Sequence, residues 1–232
     1  MVSFDMKNIL ARGGVEFLAV FLGIALSLWV DDYRENVKIK KDVHNSLNAI
    51  ALELAENKET LLHTIKSIKF NDTFTDRLLD MKNFDNQNIV TKDSIWHANI
   101  IPLGNKLYVN AYKNMVSSGL LYQIYDRKLL NQIQTVYEYD IKNFEWWVDY
   151  ETKFVEHIDK YIFKNLALSK KAYDWELDWN NSKTINGLKT AEFQNLMIGN
   201  RSTRDALKYY SQKLNKSMEN ILTGIESYNK LR

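Results

Sequence analysis

The chain has 232 residues, enough for one or two domains with a full hydrophobic core. Its 31 basic and 29 acidic residues leave a formal charge of +2, which excludes a global field steering it to nucleic acid or anionic lipid, so any anion site has to be a local patch. The absence of cysteine excludes disulfides, thiolate chemistry and cysteine zinc sites, while one proline and eight glycines leave too little turn chemistry for a multi-stranded β fold; an all-α architecture is expected.

In chain order, the first distinctive element is "VEFLAVFLGIALSLWVDD", residues 15 to 32, which carries no charge from Phe17 to Val30. Those fourteen residues would make a helix of about 21 Å, short of a hydrocarbon layer of about 30 Å. Extended back over Glu16, Val15 and the Gly13-Gly14 pair, and closed by Trp29 and Tyr33 as interfacial aromatics, the stretch becomes a short but workable transmembrane helix. Lys7 and Arg12 ahead of it, with Ala25-Leu26-Ser27 inside it, also suit a signal peptide, but Glu16 in the apolar region opposes that reading. A retained span is therefore expected, residues 1–36 forming the membrane helix and its flanks.

On a helix, Ala19, Gly23 and Ser27 recur every four residues as a face of small side chains, with Glu16 about a turn before it and Asp31 one turn after it. The other faces carry Phe17, Leu18, Phe21, Leu22, Leu28 and Trp29. One reading is a packing seam between helices, with Glu16 paired to Arg12. Another is a narrow pore whose two ends are ringed by Glu16 and Asp31, as in cation channels. Both require a homo-oligomer, because a lone span offers Glu16 no partner. Arg34, Lys38, Lys40 and Lys41 outnumber Lys7 and Arg12, which puts the large domain in the cytoplasm.

No glycine or proline interrupts residues 24 to 101, so the span is expected to run into a neck helix over 37–70, striped by Val43, Leu47, Ile50, Leu54, Leu61 and Ile68 with Asn57 at a seam position. The remainder, 71–232, is expected to be a soluble helical domain in the form of an antiparallel bundle. It should contain a short helix near Thr73 to Lys82 and a turn around Phe84 to Asn88. A loop at Pro102 and Gly104 should follow, then one long amphipathic helix of about forty residues from Asp126. "LSKKAYDWELDWNNSKTINGLK" is expected as an exposed connection, and Thr190 to about Lys230 as a last long helix.

The chain offers little chemistry. His44, His63, His97 and His157 lack metal-ligand spacing, and no nucleophile elbow, phosphate loop or dinucleotide fingerprint is present, so no enzyme activity and no cofactor are expected. In "NRSTRDALKYY", Arg201, Arg204 and Lys208 share one helical face with Tyr209 beside them. That basic and aromatic combination suits a nucleotide or single-stranded nucleic acid; the plainer reading is a solvated basic face balanced by Asp205. In "KNFEWWVDYETK", Trp146, Trp147 and Tyr150 crowd one turn, and part of that set must face outward, which suits oligomer packing.

Several motifs resemble those of a bacterial family of short single-pass membrane proteins of unknown function. Glu16, Gly23, Asp31-Asp32, Tyr33 and Glu35 match its glutamate-headed span, with Asp31-Asp32 departing from the usual asparagines. "NAYKNMVSSGLLYQIYDRKLLNQIQTVYEYD" is similar to its central motif, and "AEFQNLM" to the start of its last helix. In this motif Gly119 is expected to take the left-handed conformation that ends one helix, Asp126 to cap the next, and Tyr112, Met115 and Tyr137 to pack behind. The resemblance implies a bacterial inner-membrane protein with one span. Its build is similar to membrane effectors of anti-phage systems such as the Hailong effector, which implies an oligomeric ion channel gated through its cytoplasmic helical domain by a nucleotide or nucleic-acid signal. The alternative is a membrane-anchored helical binding or scaffold module that conducts nothing.

Overall fold

The computed structural model describes residues 6–80, 102–170 and 175–230, with side chains from Phe17 onward except that of Trp175. The described chain is mostly helical, with one small hairpin and short irregular connections. Helix α1 (Met6–Leu79) is continuous over 74 residues, passing through positions 36 and 70 without a break. After an irregular stretch over 102–109 come α2 (Asn110–Ser117), a 3-10 turn at Leu120–Gln123, α3 (Arg127–Thr135), one turn of π-helix at Val136–Asp140, and α4 (Ile141–Asn165). Strands β1 (Leu168–Lys170) and β2 (Trp175–Leu177), helix α5 (Ser182–Leu188) and the forty-residue α6 (Ala191–Lys230) complete the fold.

Three long rods make the body. Helix α6 lies between α1 and the α3–α4 rod and runs antiparallel to both. Along α1 it is tied by Asn229 to Asn48 (3.0 Å), Lys58 to Glu219 (3.0 Å) and Lys208 to Asp72 (3.3 Å). Along the other rod, Lys213 meets Asp140 (3.3 Å) and Arg204 meets Glu151 (2.9 Å). The α1 stripe Val43, Leu47, Ile50, Leu54, Leu61 and Ile68 is fully buried against α6, whose own stripe includes Leu207, Leu214, Met218, Ile221 and Ile225. Asn57 sits in that seam as the pattern required, its amide exchanging two hydrogen bonds with the backbone of Tyr108 (2.7 and 2.8 Å).

The central turn forms as its residues dictate. Ser118 closes α2, Gly119 follows at φ 73°, where a Cβ would be strained, and Asp126 accepts from the N–H groups of Lys128 and Leu129 to start α3. Val109, at the start of α2, has no side chain able to cap. Glu53 on α1 does this from outside, accepting from the Ala111 N–H at 2.7 Å. Within the π turn the consecutive residues Val136 and Tyr137 are both buried.

Two expectations are corrected. The segment near Thr73 is the end of α1 and not a separate helix; the turn at 84–88 lies outside the described residues. The connection after α4 is no exposed linker. Its antiparallel hairpin, in register Leu168 with Leu177, and α5 bring Leu177, Trp179 and Leu188 into a second core with Leu78, Ile158, Ile162, Phe193 and Met197. The span expected within residues 1–36 gains no support: among the described residues no helix is long and apolar enough to cross a membrane. The described part of the uncharged run begins at Phe17 and meets Asp31, Asp32 and Arg34 within eighteen residues.

Candidate functional site

Helix α1 leaves the bundle before it reaches the apolar run. Ile39 and Val43 are the first of its side chains packed on the core, and every described residue from Phe17 to Lys38 is exposed. Phe17, Phe21, Leu22, Ile24, Leu28 and Trp29 are each more than half exposed and lie on all sides of the helix. A helix apolar all round is stable when something covers it on every side. None of the described residues does.

Of the residues expected on the small face, Ala19, Gly23, Ser27 and Asp31 stand exposed on this projecting segment, while the side chain of Glu16 lies outside the described residues. Ser27 donates to the Gly23 carbonyl one turn back at 2.9 Å, which satisfies its hydroxyl within the helix. A Cβ on Gly23 would meet no atom within 4 Å. Among the described residues nothing therefore requires glycine at this position.

The basic face of α6 forms as expected but points inward. Arg201 pairs with Asp76, Lys208 with Asp72, and Arg204 is buried with its Nε donating to Glu151 at 2.9 Å. Tyr209 points away and is exposed, edge-on to Tyr210. The four residues do not converge on an open surface, so the expected anion site at Arg201, Arg204, Lys208 and Tyr209 is replaced by ion pairs that hold α6 to its neighbours. Buried Glu151 also accepts from the N–H groups of Leu103 (3.0 Å) and Gly104 (3.2 Å), which fastens the irregular 102–109 stretch to α4. Removing one partner of so buried a pair costs about 3–5 kcal/mol, because a charge is left without compensation.

A second buried polar group joins α1 to the π turn. Tyr137 donates to Glu53 at 2.9 Å and stacks on Tyr112 with ring centroids 4.4 Å apart, while Tyr112 donates to Glu138 at 3.0 Å. Burial, then the Glu53 carboxylate, pushes the Tyr137 phenol far above its ordinary range. Burial, then the bond to Glu138, does the same to Tyr112. Hydrogen bonds from Lys142 and Tyr112 hold Glu138 below the usual carboxylate range. Glu53 and Glu138 carried no motif; only Glu53, an acidic residue on the apolar face of α1 beside Leu54, hinted at an internal partner.

Trp146 stacks on Tyr150 at 5.1 Å and is exposed, while Trp147 is half-buried against Tyr210. Among the described residues no group of histidines and carboxylates could hold a metal ion. Sequence reasoning also missed a polar groove between α3 and the last turns of α6. Its periodicity reads only as a solvated face. Comparison of the chain with protein-family models, with curated proteins and with solved structures finds no match in any of the three.

Proposed function

We propose that this protein is a homo-oligomeric membrane effector: the apolar segment of α1, together with the residues ahead of it, enters a bilayer, several copies pack through Ala19, Gly23 and Ser27, and the bundle on the cytoplasmic side gates an ion path between them. The observation that carries this reading is the uncharged run from Phe17 to Val30, exposed on every side and standing clear of the bundle. Such a surface in water is an aggregation liability, whereas lipid covers the large side chains and sister helices cover the small face. The unbroken α1 would carry movement of the bundle to the pore, since a continuous helix transmits rotation where a loop would absorb it. A role in anti-phage defence rests on the resemblance of the glutamate-headed span and of the central motif.

The test uses the full chain in mild detergent and in liposomes. Wild type should run as an oligomer and release a trapped cation. Gly23→Leu should lower the flux at least about tenfold and shift the chain toward smaller assemblies. Because none of the described residues would meet a side chain at Gly23, the bundle should melt unchanged. A monomeric wild type would overturn the proposal; an intact oligomer without flux would favour the anchored scaffold.

A further inference from the structure

Helices α3 and α6 meet closely at Gly224, where a Cβ would lie 2.9 Å from Leu129 Cδ1, and a groove runs between them beside that contact. The larger part, about 620 Å³, is lined by Arg127, Lys128, Asn131, Gln132, Thr135 and Asn220 among others. A part of about 460 Å³ shares Lys128, Gln132 and Asn220 and adds Thr223 and Ser227. Both volumes fall in the range of small-molecule sites, about 300–1,000 Å³.

The uncommitted hydrogen-bonding groups of this region converge there. Neither the Arg127 guanidinium nor the Lys128 ammonium has an ion-pair partner among the described residues, unlike the cations of α6 that face α1 and α4. The side-chain amides of Asn131, Gln132 and Asn220 likewise make no hydrogen bond among the described residues. The two carboxylates that line the groove are already engaged. Asp126 caps α3 and Asp140 pairs with Lys213. What is left, among the described residues, is two unpaired cations beside three amides without partners, a set that attracts an anion and can hydrogen-bond a neutral polar group next to it. The π turn forms one end of the wall through Val136 and Asp140, and such turns concentrate at functional sites.

We propose that this groove binds a small phosphate-bearing molecule, its phosphate oxygens held by Arg127 and Lys128 and its neutral polar portion by Asn131, Gln132 and Asn220. A guanidinium with a neighbouring ammonium suits the several oxygens of a phosphate better than a single carboxylate. A lipid headgroup is excluded by distance, for Asn48 of α1, level with the Asn229 end of α6, is eighteen residues beyond Val30, or about 27 Å of continuous helix. A nucleic-acid strand would need a longer track of cations than two residues supply. The site does not depend on whether the chain conducts.

Calorimetric titration of the full chain in detergent tests this with pyrophosphate, AMP and succinate as probes. AMP should bind more tightly than pyrophosphate, succinate should bind at least about tenfold more weakly, and raising salt should weaken both phosphate probes. Arg127→Ala with Lys128→Ala should weaken AMP about tenfold or more. Asn220→Asp, which puts a negative charge on the opposite wall, should do so independently. All three positions are exposed, so thermal unfolding of each variant should match wild type. No binding of either phosphate probe at millimolar concentration, equal binding of succinate, or AMP affinity unmoved by both changes would each overturn the proposal.

Discussion

Tyr137 and Glu53 show how one residue pair can decide the pH range over which the bundle is stable. The folded chain favours the neutral phenol, because ionising it would set a second negative charge beside the Glu53 carboxylate in a buried site. Below the ordinary tyrosine pKa of about 10, folded and unfolded chains both hold the proton and the stabilisation is fully present. As pH rises past that value the unfolded chain releases the proton first, so stability falls until the raised folded pKa is reached. The loss from this one group is about 1.4 kcal/mol per pH unit. Urea unfolding of wild type and Tyr137→Phe at about pH 9 and about pH 11 measures it. The variant should be the less stable at the lower pH, and the gap should shrink by more than about 1 kcal/mol at the higher. A gap independent of pH would show that the phenol ionises as freely folded as unfolded.

At the scale of elements, identical substitutions should differ according to what faces them. Gly199 and Gly224 both lie in α6, where alanine is intrinsically better than glycine by about 1 kcal/mol. A Cβ at Gly224 meets the tip of Leu129, which can change rotamer, whereas a Cβ at Gly199 would lie 2.6 and 2.9 Å from two atoms of the rigid Phe154 ring. Gly224→Ala should therefore be neutral within about 1 kcal/mol, and Gly199→Ala should lose about 1–2 kcal/mol as the ring is pushed outward, to be read from thermal melts. Element positions were largely legible from periodicity: the α1 stripe, the Asn57 seam, the Gly119 turn, the Asp126 cap and the last helix stand where the spacing puts them. Periodicity also put Arg201, Arg204 and Lys208 on one face. It carries no information about what that face meets, and their partners Asp76, Glu151 and Asp72 lie far away in the chain. The hairpin at 168–177 escaped notice because each strand has only three residues, too few for an alternating pattern to register.

The molecule as a whole divides by what its surfaces demand. From Val43 onward the apolar stripe of α1 finds partners in α6, α2 and the 3-10 turn, with Leu52, Leu62 and Phe70 on its outer side; from Phe17 to Lys38 every side chain is exposed. The core of the bundle consequently owes nothing to the projecting helix, and cutting the chain near residue 38 removes apolar surface without opening a cavity. Such a truncated chain should stay soluble without detergent and run as a smaller species than the full protein. Its thermal midpoint should lie within a few degrees of that of the full chain, since a shift of that size corresponds to about 1 kcal/mol for a body of this length. The cut exposes four backbone N–H groups that the intact helix had satisfied, so fraying is expected to stop at Val43, where burial begins. If the truncated chain instead unfolded or aggregated, the apolar segment would have to pack on the bundle in solution, and its all-round exposure could no longer be taken as the mark of a membrane helix.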